Sequence, residues 1–538
     1  MHPTDPKYRE VLPQEENQSR STDLTRREFI AQTGRFSGAL AAGLALGTLG
    51  SSAASRIPNS VPELVMMNAL DLSKAIKLKQ VSCHEVMKTF LGHIGRFNPK
   101  VNAIVSLQDQ DDLLKQAGER DEQLASGKYL GWMHGFPHAV KDLAATKGIR
   151  TTWGSPLLDS VPQHDSLFVE RLRASGVVII GKTNAPEFGL GSQTYNSIFG
   201  ATLNAYDQSK TSGGSSGGAS VSLALRMLPV ADGSDMMGSL RNPAAFNNVI
   251  GFRPSYGRVP SCGGELFLDQ LSTEGPIGRS VADVAMLLSV MAGPYPGAPL
   301  SIEQDPIVFT ESLKRDFKGT RLGWLGNLRG HLPVEPGIME LCQRSFAAFE
   351  GVGCSVEDVP LNFPPNRMWE SWVALRHWSV AADLFDLYKD PEKRQKMKSE
   401  AQWEVEGGLK LSAMNVSNAG LARSDWYRAI LNLFQNYDYL MLPGVQVFPF
   451  GVNTHWPKEI NGVKMDTYHR WMEVMIPGTL SGCPVINVPV GFNAKGLPMG
   501  LQIIGKNHAD LAVLQLAYAY EQSTNWVRDH LPPLLNQA

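Results

Sequence analysis

Apolar residues along this chain recur with two periods. Helical patterning starts near Val61, where Leu64, Leu70, Ala75 and Ile76 precede the segment Val81-Ser82-Cys83-His84-Glu85. Val86, Phe90 and Ile94 then fall at helix spacing and predict an amphipathic helix. Residues 101–105 read as a short strand, 111–125 as a charged, exposed helix, and 136–140 as a short apolar run ending in Lys141-Asp142. A helix over 168–174 and a buried strand over 177–182 follow. Residues from about 300 to 470 are less regular. Order returns with strands over 484–490 and 500–505 and a closing helix over 510–522. Short apolar strands alternating with helices predict the α/β class. Neither an internal repeat nor a low-complexity linker breaks the pattern, so one large domain over 61–530 is expected rather than three.

Composition narrows the function classes. With 538 residues and 43% hydrophobic content the chain has ample apolar material for a large core. Its formal net charge of -2 and the lack of a long basic run leave no electrostatic footprint for nucleic acid. The five cysteines, Cys83, Cys262, Cys342, Cys354 and Cys483, are far apart and odd in number. They build neither a disulfide framework nor a CxxC metal site and read as isolated thiols.

The N-terminus reads as an address. After a polar extension over 1–25 come Arg26-Arg27-Glu28-Phe29-Ile30, resembling a bacterial twin-arginine export signal. An Ala/Gly/Leu stretch over 36–49 follows, too short to span a bilayer, which takes roughly 20 apolar residues. Ser52, Ala53 and Ala54 supply a small-residue cleavage site. Residues 26–54 are therefore expected to be an export signal that delivers the protein to the periplasm or outside the cell; without it the protein would stay in the cytoplasm.

The chemistry concentrates in two glycine- and serine-rich segments, Thr211-Ser212-Gly213-Gly214-Ser215-Ser216-Gly217-Gly218 and Asp232-Gly233-Ser234-Asp235-Met236-Met237-Gly238-Ser239-Leu240-Arg241. A phosphate-binding loop is excluded, because no Gly-Lys-Ser/Thr closes the pattern. Residues 213–217 do satisfy G-x-S-x-G, the nucleophile elbow of α/β-hydrolases, which would make Ser215 an esterase nucleophile served by a downstream histidine: His377, His455, His469 or His508. That elbow needs a strand directly before it, and Asp207-Gln208-Ser209-Lys210 is polar and turn-like.

A third reading explains more residues. Gly-Gly-Ser-Ser-Gly-Gly, a helical stretch over 219–227, an Asp-x-x-Gly-Ser-x-Arg element, Pro243-Ala244-Ala245-Phe246 and Gly251-Phe252-Arg253-Pro254-Ser255 together resemble the signature of the amidase signature family. Upstream, residues 134–142 around Lys141 resemble that family's lysine segment. Residues 148–152, 181–188 and 500–505 match in order, so the resemblance spans about 64 to 528. It implies an amidase-signature fold: a single large mixed β-sheet core flanked by helices on both faces.

It also implies roles. Ser239 aligns with the nucleophile, Ser215 with a bridging serine that follows a cis peptide, and Lys141 with the general base. The backbone N–H groups of Met236, Met237, Gly238 and Ser239 align with the oxyanion hole. Gly214, Ser216, Asp235 and Arg241 are supporting residues, the last two expected to brace the loop through charge-assisted hydrogen bonds. The residue types suit the chemistry. A serine hydroxyl is a weak nucleophile until a neighbour takes its proton. A lysine, ordinarily protonated up to about pH 10.4, becomes a base only if burial lowers that value. One departure stands out: the family usually carries Gly-Gly before the nucleophile, and this chain carries Met237-Gly238. Met237 keeps its amide, but its side chain is expected to line or narrow the pocket.

The expected function is hydrolysis of a carboxylic amide to a carboxylate plus ammonia or an amine, with esters as side substrates and with no metal or cofactor. Expected partners are a small-molecule amide and no nucleic acid, no integral membrane segment is expected in the mature chain, and a homodimer is compatible with the sequence. A transamidating enzyme that works with transfer RNA fits the export signal and the charge poorly. A non-catalytic periplasmic binding protein on the same fold is the rival from another class, and the complete Lys141, Ser215 and Ser239 set argues against it. Seven tryptophans, Trp369, Trp372, Trp378, Trp403, Trp426, Trp456 and Trp471, fall in the variable region over about 300–470. They predict core packing first and an aromatic-lined pocket second, and on the second reading an apolar or aromatic substrate.

Overall fold

The computed structural model describes residues 62–537. The twin-arginine segment and the extension before it lie outside the described residues.

Eleven strands carry the architecture. In chain order they are β1 (Ile104–Val105), β2 (Pro137–Lys141), β3 (Val178–Thr183), β4 (Ala231–Asp235), β5 (Ile250–Arg253), β6 (Thr273–Gly278), β7 (Arg321–Trp324), β8 (Ser355–Asp358), β9 (Tyr439–Pro443), β10 (Val485–Phe492) and β11 (Pro498–Ile504). Eight of them form one mixed sheet in the order β8-β7-β9-β11-β10-β5-β6-β4. The β8-β7-β9 pairs are parallel and the remaining pairs antiparallel. β1, β3 and β2 make a small second sheet. This is the α/β class and the large mixed sheet that the sequence predicted.

Local chemistry explains the helix boundaries. The helix α1 (Cys83–Val101) starts at a capping box in which Ser82 Oγ accepts the Glu85 N–H and the Glu85 carboxylate accepts the Ser82 N–H. Val86, Phe90, Ile94 and Phe97 form its buried stripe. It ends at Asn102, whose left-handed backbone stops the helix just before β1. The strand expected over 101–105 is therefore only its last two residues, the first being the end of the helix.

The region that reads as irregular holds long helices, α2 (Pro365–Tyr388), α3 (Ser399–Leu409) and α4 (Ala413–Leu433), packed on one another. Apolar periodicity misses α2 because its buried residues include Ser371, Arg376, His377 and Ser379 beside Trp372, Leu375 and Leu384. The buried polar face meets Glu404 of α3, which pairs with Arg376 and His377. No helix among the described residues is long and apolar enough to cross a membrane.

The two sheets meet where the chemistry sits. From β4, Asp232 accepts the Lys141 backbone N–H at 3.1 Å and a hydrogen bond with His138 Nε2 at 2.9 Å, both partners on β2. Successive residues of a strand face opposite ways, so Asp232 and Ser234 share a side. The same register that buries Asp232 against β2 brings Ser234 to the Lys141 amine.

Candidate active site

Lys141 ends β2 with only 2% of its surface exposed. Its Nζ lies 2.8 Å from Ser215 Oγ, 2.8 Å from Ser216 Oγ and 2.9 Å from Ser234 Oγ, with the Ser234 carbonyl at 3.3 Å. Burial lowers its pKa to about 7, even though the carboxylates of Asp232, Asp235 and Glu274 act to raise it. Desolvation wins because the amine donates to neutral hydroxyl groups rather than to a contacting carboxylate.

Ser215 follows a cis peptide bond from Gly214. The Gly214 carbonyl accepts a hydrogen bond from Ser192 Oγ. A Cβ on Gly214 would meet Thr194 Oγ1 at 3.0 Å and the backbone of Ser192 and Gln193 at 3.1–3.2 Å, so a side chain there would crowd the loop. The Ser216 N–H donates to the Ser239 carbonyl at 3.2 Å, joining the two serine segments directly.

Ser239 follows the turn that leaves β4. Asp235, the last residue of that strand, shapes the turn by accepting the N–H groups of Gly238 at 2.8 Å and Leu240 at 3.1 Å. Arg241 holds the same carboxylate through Nε and Nη2, each at 3.0 Å, and Arg253 Nη1 adds a third contact at 3.2 Å. Burial pushes the Asp235 carboxyl up, but the guanidinium groups of Arg241 and Arg253 outweigh it and hold the group well below the usual carboxylate range. Arg241 also donates to Gln502 on β11 and Thr479, tying the turn to the centre of the large sheet. Gly238 has φ +84°, and a Cβ there would collide with Met475 Cγ at 2.5 Å. A left-handed residue with no room for a side chain explains why glycine survives at this position although its neighbour is methionine.

Ser215 and Ser239 open on one cavity of about 370 Å³. Met236 and Met237 line it, as do Phe188, Leu190, Trp153 and Tyr256. Of the seven tryptophans in the variable region, only Trp378 reaches its wall. Trp372, Trp426 and Trp471 are fully buried in the core.

All four amides aligned with an oxyanion hole sit on this turn, with one difference from expectation. The Gly238 N–H is already donated to Asp235 Oδ1, because the carboxylate that shapes the turn needs it. Met236, Met237 and Ser239 are the remaining amides. The elbow reading of Ser215 does not hold: its hydroxyl meets Lys141 rather than a histidine, and a loop, not a strand, leads into it. Sequence reasoning missed Ser234, Asp232 and Arg376. The first two carried a usable signal, their alternation on the strand immediately before the 236–239 turn. Arg376 carried none, lying far along the chain on a helix whose face looks mixed.

The buried Lys141 amine thus contacts the Ser215 hydroxyl, and Ser215 and Ser239 line one cavity. The chain belongs to the Amidase family, whose model matches residues 85–514. It is 32% identical to an acylamidase of Rhodococcus erythropolis over 86% of this chain and 96% of that one. Its fold matches the crystal structure of a bacterial aryl acylamidase of the amidase signature family with a TM-score of 0.80 and 29% identity, covering 86% of this chain and 97% of that one. It also matches the structure of the native peptide amidase from Stenotrophomonas maltophilia with a TM-score of 0.73 and 26% identity, covering 87% of this chain and 98% of that one. The resemblance read from the motifs is thereby established.

Proposed function

We propose that this amidase hydrolyses a carboxylic amide through an acyl intermediate on Ser239, with Ser215 and Lys141 as its proton relay. The observation that carries the proposal is the buried Lys141 amine 2.8 Å from Ser215 Oγ, in the cavity that Ser239 also lines. Neutral Lys141 accepts the Ser215 proton while Ser215 takes the proton of Ser239. The Ser239 oxygen adds to the amide carbonyl. Amides of the 236–239 turn, those of Met236, Met237 and Ser239 being uncommitted, stabilise the oxyanion. The relayed proton returns to the leaving nitrogen, the C–N bond breaks, and water then releases the carboxylate by the same relay. Ser234 and Ser216 hold the amine in line.

The apolar wall of Phe188, Leu190 and Trp153 supports an apolar or aromatic substrate. Similarity to an acylamidase and an aryl acylamidase supports the same class. Near-neutral charge favours a small-molecule substrate over one carried on transfer RNA. Delivery across the membrane by the Arg26-Arg27 segment is part of the proposal.

The test is a product assay on purified protein with a primary aromatic amide and an N-aryl acylamide side by side. Ammonia or arylamine release by the wild type, absent in Ser239→Ala of unchanged melting behaviour, is the expected result. Equal release by Ser239→Ala would overturn the assignment.

A further inference from the structure

Arg376 sits on α2 with 3% of its surface exposed, yet it lines the cavity that holds Ser239. Its guanidinium is anchored from behind. Nε donates to Glu404 Oε1 at 2.6 Å and to the Tyr468 hydroxyl at 3.2 Å, and Nη2 donates to the same hydroxyl at 2.7 Å. Tyr468 in turn donates to Glu404. The rings of Trp372 and Tyr468 lie 5.5 and 5.9 Å from the guanidinium carbon. Nη1 is left with one partner, the Met236 thioether sulfur at 3.0 Å. A thioether is a weak acceptor, so a buried, charged donor faces the cavity nearly unsatisfied.

We infer that Arg376 is a specificity-determining residue whose Nη1 donates to a second hydrogen-bond acceptor on the substrate, a neutral carbonyl oxygen beyond the scissile one. The inference rests on the amidase reading above and deepens it. The acceptor is neutral because Glu404 already compensates the Arg376 charge, and because Asp269, Glu274 and Asp383 line the same cavity. An anionic group would meet those carboxyl side chains without a free cation to repay it. Preferred substrates are therefore amides that carry both an apolar or aromatic group for the Phe188 wall and a second amide or ketone carbonyl for Arg376. Met236, three residues before the nucleophile, is the side chain the acceptor displaces.

The experiment compares N-acetylphenylalaninamide with its hydrocarbon isostere 2-benzyl-4-methylpentanamide. Taking the ratio of kcat/KM within each variant cancels any loss common to both substrates. A hydrogen bond from a charged donor predicts a wild-type ratio of about tenfold or more in favour of the acetylated substrate. Arg376→Met and Arg376→Lys are expected to bring it to within about threefold, on the same hydrogen-bond energetics. The lysine variant keeps a cation beside Glu404 and covers a failure of the methionine variant to fold; its single ammonium serves Glu404 and does not reach the cavity as well. A wild-type ratio near one, or an undiminished ratio in Arg376→Lys, overturns the inference. So does a preference for the analogue carrying a carboxymethyl in place of the acetamido group. Calorimetric binding of the same ligands to Ser239→Ala separates the two levels. A binding ratio that depends on Arg376, without turnover of any amide by wild type, sustains Arg376 and overturns the hydrolytic reading. Turnover without a ratio does the reverse.

Discussion

In the proposed mechanism Lys141 works as a base only when it is uncharged. With its pKa lowered to about 7, the fraction in the neutral, proton-accepting form rises as pH rises through that value. The predicted kcat/KM profile therefore climbs with pH below about 7 and levels off above it. A profile flat from pH 5 to 8 would place the base elsewhere. Arg retains its proton at any working pH, so Lys141→Arg keeps a cation but cannot accept the Ser215 proton. The expected loss is about 10²–10⁴-fold, the usual contribution of general acid–base catalysis, measured against a wild-type control of matched melting temperature. Lys141, Ser215 and Ser239 were legible as residues because serine and lysine in this motif order mean little except together. Ser234 was not. Its role depends on strand β4 lying beside β2, and that pairing joins positions about ninety residues apart.

The element that sets the geometry is the strand end and turn over 231–239. Asp235 is its keystone, shared by two buried guanidinium groups and two backbone amides. Asp235→Ala would leave Arg241 and Arg253 buried without their partner, a change that costs about 3–5 kcal/mol. A fall in stability of that order by denaturant titration is expected, together with loss of activity. The pH sign follows from the lowered carboxyl. The stabilisation is complete above the unfolded carboxylate value of about 3.9 and is lost as pH falls toward the lower folded value. The expectation that Asp235 and Arg241 brace the loop by charge-assisted bonds matches their contacts. Arg253 joined them only in the fold, through the β5-β6-β4 order that sets it beside Asp235. The long helices α2 and α4 escaped pattern reading for a related reason. Periodicity finds a helix whose buried stripe is apolar, and α2 buries arginine and histidine against a glutamate from α3.

At the scale of the molecule, the proposed catalytic groups come from the end of β2, the 213–216 loop and the turn after β4, while the cavity wall comes partly from α2, which contributes Arg376, Trp378, Val380 and Leu384. On the proposed reading, chemistry and specificity are carried by separate parts of the chain, so changes on α2 are expected to alter what enters without disturbing the relay. The proposed export address is a further, independent test. Replacing Arg26 and Arg27 together by Lys is expected to retain the protein in the cytoplasm, read by cell fractionation, with the specific activity of the purified protein unchanged. Periplasmic recovery of that variant would remove the export reading.

The sequence by itself determined the α/β class and the family and supplied the candidate serines and lysine, because each of these is written in short contiguous segments whose order survives without coordinates. The tertiary structure alone decided what surrounds them. It decided that Lys141 is buried, with its pKa lowered to about 7, and that Ser234 and Asp232 stand beside it. It also decided that Trp372, Trp426 and Trp471 serve the core and that Arg376 lines the cavity. Those outcomes depend on desolvation and on hydrogen bonds between groups tens to hundreds of residues apart, and neither is a property of any local stretch of chain.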